Sequence, residues 1–256
     1  MDLDLRGRRA LVCGASAGIG RATALQLARQ GADLVVLSRR ADRLEALLPA
    51  LREAGAPSAQ ALAADLSDTE GLRAAVQGLR VQILVHNTGG PPGGRLLDES
   101  TDKLARTFAE HVLSAQVLVQ ALLPGMVEAG YGRIVTVLST SVREPIDGLG
   151  VSNTVRGAMA SWSKSMSREL PPGVTINNVL PGFTTTERLD GLRTAIAGRT
   201  GRSEAEVEEG WLAAVPEARL ASPDELAGVV AFLCSPAAGY VRGASLAVDG
   251  GRMRSI

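Results

Sequence analysis

The strongest constraint on the fold is a junction near the start of the chain. Residues 9–14, Arg-Ala-Leu-Val-Cys-Gly, form a short apolar run, and Gly14, Gly18 and Gly20 close it off. Residues 18–30 then carry apolar side chains at helical spacing. A strand that turns through glycines straight into a helix brings bare backbone and unpaired N–H groups to one point. That point is also the positive end of the helix dipole, where a pyrophosphate can sit. The same junction is also consistent with a tight turn that binds nothing. In either case it opens a β-α-β layer structure.

The rest of the chain keeps that rhythm. Further apolar runs at 33–38, 59–64, 82–87, 132–139, 174–180 and 245–250 alternate with helical patterns at 40–54, 68–79, 101–123, 152–170 and 223–234. This alternation predicts an α/β Rossmann doubly wound fold, a seven-stranded parallel sheet with helices on both faces, in a single domain over 1–256. Hydrophobic residues make up 45% of the chain and aromatics only 3%. The core is therefore built from Ala, Val, Leu and Ile, as strands covered on both faces require. Two segments break the rhythm: a Gly/Pro loop at 88–100, and an irregular, partly helical insertion at about 183–216. Both leave the carboxyl ends of strands, where ligands bind in open α/β sheets, so both are expected to wall a site.

Charge narrows the partners. The 27 basic residues balance 27 acidic ones, and no basic stripe appears, which argues against nucleic acid. Lys103 and Lys164 are the only lysines, so lysine chemistry is nearly excluded. Cys13 and Cys234 stand alone, with no metal-ligand spacing, and suggest a reducing compartment. With an acidic start and no apolar run of spanning length, the chain is expected to be cytoplasmic and free of the membrane.

The second strand ends in Ser38, Arg39 and Arg40. A carboxylate there would hold the adenosine ribose hydroxyls of NAD and repel a phosphate. A hydroxyl and two guanidinium groups can instead clamp a 2′-phosphate. NADP(H) is the expected cofactor and NAD(H) the alternative. The two arginines are also consistent with a solvated start to the next helix.

Taken together, these features resemble the short-chain dehydrogenase/reductase family over nearly the whole chain. Gly14-x-x-x-Gly18-x-Gly20 looks like its nucleotide fingerprint. Ala-Asp-Leu at 64–66 is similar to its adenine-contacting segment. His-Asn-Thr-Gly-Gly at 86–90 resembles its Asn-Asn-Ala-Gly motif, with His86 and Thr88 as departures. Pro-Gly-Phe-Thr-Thr-Thr at 181–186 resembles its nicotinamide-contacting segment, and the tail from Ala221 reads like its 3-oxoacyl-acyl carrier protein reductase branch. The resemblance implies cofactor contacts from Gly14, Ser16, Gly18, Ile19, Gly20, Ser38, Arg39, Arg40, Asp65, Leu66, Asn87, Thr88, Gly89, Arg156, Pro181, Gly182 and Thr186. It also implies a homodimer or homotetramer, with a seam formed by the helices at 101–123 and 152–170.

The family's catalytic Asn, Ser, Tyr and Lys are mostly absent. Ser139 falls on the Ser position. The Tyr position, thirteen residues later, holds Ser152, and the Lys position four beyond that holds Arg156. The Asn position, thirteen residues before the Pro124 expected to end its helix, holds His111. A serine hydroxyl is shorter and much less acidic than a phenol titrating near ~10. Arg156 can bond ribose hydroxyls and stabilise negative charge, but it does not release a proton. Tyr131 and Tyr240, the only tyrosines, lie away from the site. His111 is a candidate general acid. It also sits on an apolar stripe with Leu104, Phe108, Ala115, Leu118 and Leu122, which favours a core histidine. Ser139 has a plain alternative too, a strand-end hydroxyl bonding local backbone. Thr140 and Ser141 could add pocket hydroxyls, and Arg143 and Glu144 could line the pocket or pair at its rim.

Two functional readings follow. One is an NADP(H)-dependent oxidoreductase acting on a small carbonyl or alcohol, such as a 3-oxoacyl thioester, with Ser139, Ser152, Arg156 and His111 at the reaction center. The other is a catalytically silent NAD(P)-binding sensor or oligomer partner.

Overall fold

The computed structural model describes residues 1–255. Seven strands form one sheet: β1 (Arg9–Cys13), β2 (Asp33–Ser38), β3 (Ala59–Ala63), β4 (Ile83–Asn87), β5 (Gly132–Val137), β6 (Val174–Pro181) and β7 (Ser245–Val248). All pairings are parallel, and the order is β3-β2-β1-β4-β5-β6-β7. Strand order reverses between β1 and β4, so a crevice opens beyond their carboxyl ends.

Alternate strand residues feed two cores. Val12, Val36 and Val85 pack beneath α1 (Gly18–Arg29), α2 (Ala41–Glu53) and α9 (Pro223–Cys234). Leu11, Val35 and Leu84 pack on the other face, against α3 (Thr69–Ala75) and α5 (Ser114–Glu128). The period of two in each strand is what makes both faces apolar. Among the described residues no helix is long and apolar enough to cross a membrane.

Three expectations need correction. First, the helical pattern at 101–123 is not one uniform helix. It consists of α4 (Thr101–Phe108), a π turn (Ala109–Leu113) and α5. The wider turn shifts the phase upstream, so Thr107 is buried and Phe108, expected on the inner stripe, is exposed. Second, Pro124 does not end the helix, because α5 continues through it to Glu128. Proline removes the partner of the Gln120 carbonyl, and Gln120 is exposed, so water can take its place. Third, the insertion at 183–216 is regular. It forms α7 (Glu187–Thr200) and α8 (Glu204–Ala213), packed through Leu189, Val207 and Trp211. Thr186 caps α7, and Ser203 with Glu206 forms a capping box on α8. The remaining long helix, α6 (Gly150–Glu169), runs from the site across the second face.

Candidate active site

The crevice is a cavity of about 800 Å³ beyond the carboxyl ends of β1, β4, β5 and β6. That volume suits a dinucleotide together with a small substrate. Its walls bring together Gly14, Ser16, Gly18, Ile19, Ser38, Arg39, Arg40, Asp65, Leu66, Asn87, Thr88, Gly89, Ser139, Ser152, Arg156, Pro181, Gly182 and Thr186. Gly20 and His111 do not line it.

The phosphate end rests on the glycines. Gly14 sits at φ +62°, a left-handed conformation, and a Cβ there would lie 2.6 Å from the Asn87 amide nitrogen. A Cβ on Gly20 would run into the Gly14 carbonyl. Gly20 therefore shapes the turn from behind rather than lining the cavity. Helix α1 begins at Ala17 with no side-chain cap, whereas Asp68, Ser100 and Ser222 cap α3, α4 and α9. The first N–H groups of α1 are thus left for an anion. A glycine cradle beneath an uncapped helix start fits a pyrophosphate.

At the end of β2, the Arg40 guanidinium donates to Ser16 Oγ at 3.0 Å, and Arg39 lies 4.0 Å from Asp65. Asp65 itself accepts from the Ser67 backbone at 2.9 Å. Both guanidinium groups border the cavity, where a ribose phosphate would meet them. Thr186 Oγ accepts from the Leu189 N–H at 3.3 Å, so its hydroxyl caps α7 while facing the cavity.

The reaction end lies between β5 and α6. Ser139 Oγ accepts from the Ser141 N–H at 3.1 Å, which leaves its own proton free to donate. Ser152 and Arg156 lie one turn apart on α6, each 8% exposed. Arg156 Nη1 donates to the Val137 carbonyl at 3.1 Å and the Leu138 carbonyl at 2.6 Å. Burial, and then the charge of Arg188, bring its pKa down to about 10, so it stays charged at neutral pH. Among the described residues no carboxylate lies within ion-pair distance of it.

The structure does not bring the His111 ring to the cavity wall, where the expected general acid would stand. His111 is 1% exposed. Nε2 donates to the Gly89 carbonyl at 3.1 Å, and Nδ1 accepts from Thr88 Oγ at 2.7 Å. Burial, then the charge of Arg156, hold its pKa down to about 2. His86 is likewise buried and lowered to about 4, with its ring 2.8 Å from Ser114 Oγ. The His111 ring braces the loop after β4, and the His86 ring ties β4 to the start of α5. Both folded pKa values lie below the unfolded value of about 6.5, so the unfolded chain binds more protons in between. Stability is therefore expected to fall as pH drops below about 6.5, by roughly 2 kcal/mol per histidine at pH 5. Urea unfolding at pH 7.5 and pH 5 checks this. His111→Asn should remove about half of the difference, and an unchanged pH dependence in that variant refutes the assignment.

Other sequence expectations are corrected by placement. Arg143 donates to the Ser245 carbonyl at 3.0 Å, and Glu144 accepts from the Arg254 backbone at 2.9 Å. They neither pair nor line the cavity, because the segment after β5 turns them toward the C-terminal strap. Thr140 lines the cavity, but Ser141 does not. Tyr131 donates to the Cys234 carbonyl at 2.7 Å beneath α9, remote from the site.

Sequence reasoning missed Glu110, Phe183, Arg188, Arg199, Trp211 and Arg252, all of which face the cavity. Glu110 precedes His111 in the π turn, and burial raises its pKa. The π turn changes the phase between α4 and α5, which an uninterrupted period of 3.6 does not anticipate. Arg188 and Arg199 were readable in principle. They stand eleven residues apart on α7, three turns on one face.

The chain is similar to known proteins over nearly its whole length. Residues 14–252 match a family model described as enoyl-(acyl carrier protein) reductase. The chain is 32% identical over 257 residues to a 3-oxoacyl-[acyl-carrier-protein] reductase of Vibrio cholerae, covering 97% of this chain and 98% of that one. It is 33% identical over 249 residues to an uncharacterized oxidoreductase of Mycobacterium tuberculosis, covering 94% and 90%. The structure superposes on L-sorbose reductase from Gluconobacter frateurii, solved with NADPH and L-sorbose, with a TM-score of 0.93 at 28% identity and full coverage of both chains.

Proposed function

The chain belongs to the short-chain dehydrogenase/reductase family, and from that premise we propose that it is an NADP(H)-dependent oxidoreductase of a small carbonyl or alcohol, working without the family's Tyr and Lys. One observation carries the reading: a buried guanidinium with no carboxylate partner among the described residues, Arg156, lines the same cavity as Ser139, Ser152 and the phosphate cradle. The NADP(H) preference is supported by Arg39 and Arg40, and by the NADPH-bound L-sorbose reductase.

When bound, the nicotinamide supplies the hydride. Ser139 and Ser152 then donate hydrogen bonds to the substrate oxygen. Arg156, itself buried, stabilises the negative charge that grows there. Two of its donor contacts fix the guanidinium to the end of β5, so little reorganisation is needed. With no acidic phenol, the proton comes from water entering the open cavity.

A silent NAD(P)-binding sensor or oligomer partner is the second reading. It is favoured by His111 lying off the cavity and by both tyrosines lying remote from the reaction end. The double variant Ser152→Tyr, Arg156→Lys separates the two. We expect measurable carbonyl reduction by the natural chain and an increase in kcat of about a hundredfold in the variant, the lower end of what a positioned general acid contributes. Activity confined to the variant would favour the silent protein. Exposed Phe108, Leu113 and Val127 along α4 and α5 support a homodimer or homotetramer, which sedimentation can measure.

A further inference from the structure

Among the described residues, the arginines of the substrate half meet no carboxylate. Elsewhere on the molecule guanidinium groups meet carboxylates: Arg80 with Glu128, Arg193 with Asp190, Glu204 and Glu208, and Arg219 with Glu225. In the cavity, Arg188, Arg199 and Arg252 form no such pair among the described residues. Arg188 is tied to the Pro91 carbonyl and packs against Gly90 beyond β4, and its charge reaches Arg156. The other two lie around the reaction end. Arg252 Nη1 donates to Thr140 Oγ at 3.0 Å, next to Ser139, and its guanidinium lies 4.8 Å from the center of the Phe183 ring. Arg199 approaches Gly148, just before the start of α6. Asp147, next to Gly148, lines that half and is exposed, and Glu110 faces the cavity from the π turn, where its charge reaches Arg156.

Between these charges the wall is apolar. Leu192 and Ile196 of α7, Leu149, and the stacked pair Phe183 and Trp211, with ring centers 5.1 Å apart, complete it. A cavity with fixed positive charge beside the reacting oxygen and hydrocarbon walls beyond it matches an amphiphilic anion. Phosphates of the cofactor do not use this charge, since the glycine cradle and Arg39 with Arg40 lie at the other end.

We propose that the substrate is an oxo acid or its hydroxy-acid counterpart with a free carboxylate. Arg252 holds that carboxylate, Arg199 supports it at the mouth, and the wall of α7 and Trp211 takes the hydrocarbon chain. In the reductive direction the carbonyl carbon gains a hydride, its oxygen gains a proton from water, and NADPH becomes NADP⁺. The inference rests on the cofactor-dependent reading above, and it narrows that reading to free acids rather than thioesters.

The test measures binding, independent of turnover. Protein saturated with NADP⁺ is titrated calorimetrically with 2-oxooctanoate and with its methyl ester. The acid is expected to bind at least about tenfold more tightly, the scale of one charge-assisted contact. Arg252→Gln should weaken the acid by about tenfold and leave the ester and NADP⁺ unchanged, while Arg252→Lys recovers part of the loss. Arg199→Gln should give a smaller loss of the same kind. Equal binding of acid and ester, no binding of the acid, or an acid preference that survives in both glutamine variants would overturn the inference while leaving the cofactor reading intact. Failure of NADP⁺ to bind would overturn both.

Discussion

Gly20→Ala is expected to weaken NADPH binding by on the order of a hundredfold. The added methyl has no free space. It would overlap the Gly14 carbonyl and approach the Asn87 amide nitrogen at 2.8 Å. Both neighbours are fixed, Gly14 by its left-handed backbone and Asn87 by contacts to the carbonyls of Cys13 and Gly14. The turn between β1 and α1 must therefore open, which moves the N–H groups that face the pyrophosphate. Overpacking of this kind also costs roughly 1–3 kcal/mol of stability. Gly228→Ala provides the contrast. It lies within α9, where a Cβ meets nothing within 4 Å. That change should add about 1 kcal/mol of stability and leave NADPH binding alone. Fluorescence titration with NADPH and urea unfolding of both variants give the answer, and unchanged affinity in Gly20→Ala would refute the cradle.

The second large effect is on cofactor choice. Arg39→Ala with Arg40→Ala should weaken NADPH by about a hundredfold, because two charge-assisted contacts to a phosphate are removed. NADH should change by less than about threefold, since it carries no such phosphate. Arg40 also donates to Ser16 in the phosphate loop, so its loss can disturb either cofactor slightly. The ratio of the two affinities is thus the informative quantity. Equal losses would mean that the arginines only shape the loop.

The sheet and the cofactor end were legible in the sequence because they depend on local chemistry. A strand must turn through Gly14, Gly18 and Gly20 to reach α1, and Arg39 and Arg40 follow β2 directly. The register of the family resemblance implied that Ser139, Ser152 and Arg156 share a site, and all three line the cavity. Non-local packing was not legible. His111 had the right chemistry for an acid, but only the folded contacts reveal its hydrogen bonds to Thr88 and Gly89 and its loss of basicity. The π turn that holds Glu110 and His111 leaves no compositional trace. Nor could 183–216 be seen as two helices from apolar spacing. Their order comes from caps at Thr186 and Ser203, and from one small cluster around Trp211.

The most direct test follows NADPH absorbance with the natural protein and a panel of oxo acids, ketones, quinones and 3-oxoacyl thioesters. The site described here should consume NADPH with at least one of these carbonyl compounds, despite having serine and arginine where the family has tyrosine and lysine. Tight NADPH binding with no consumption by any member of the panel would contradict it.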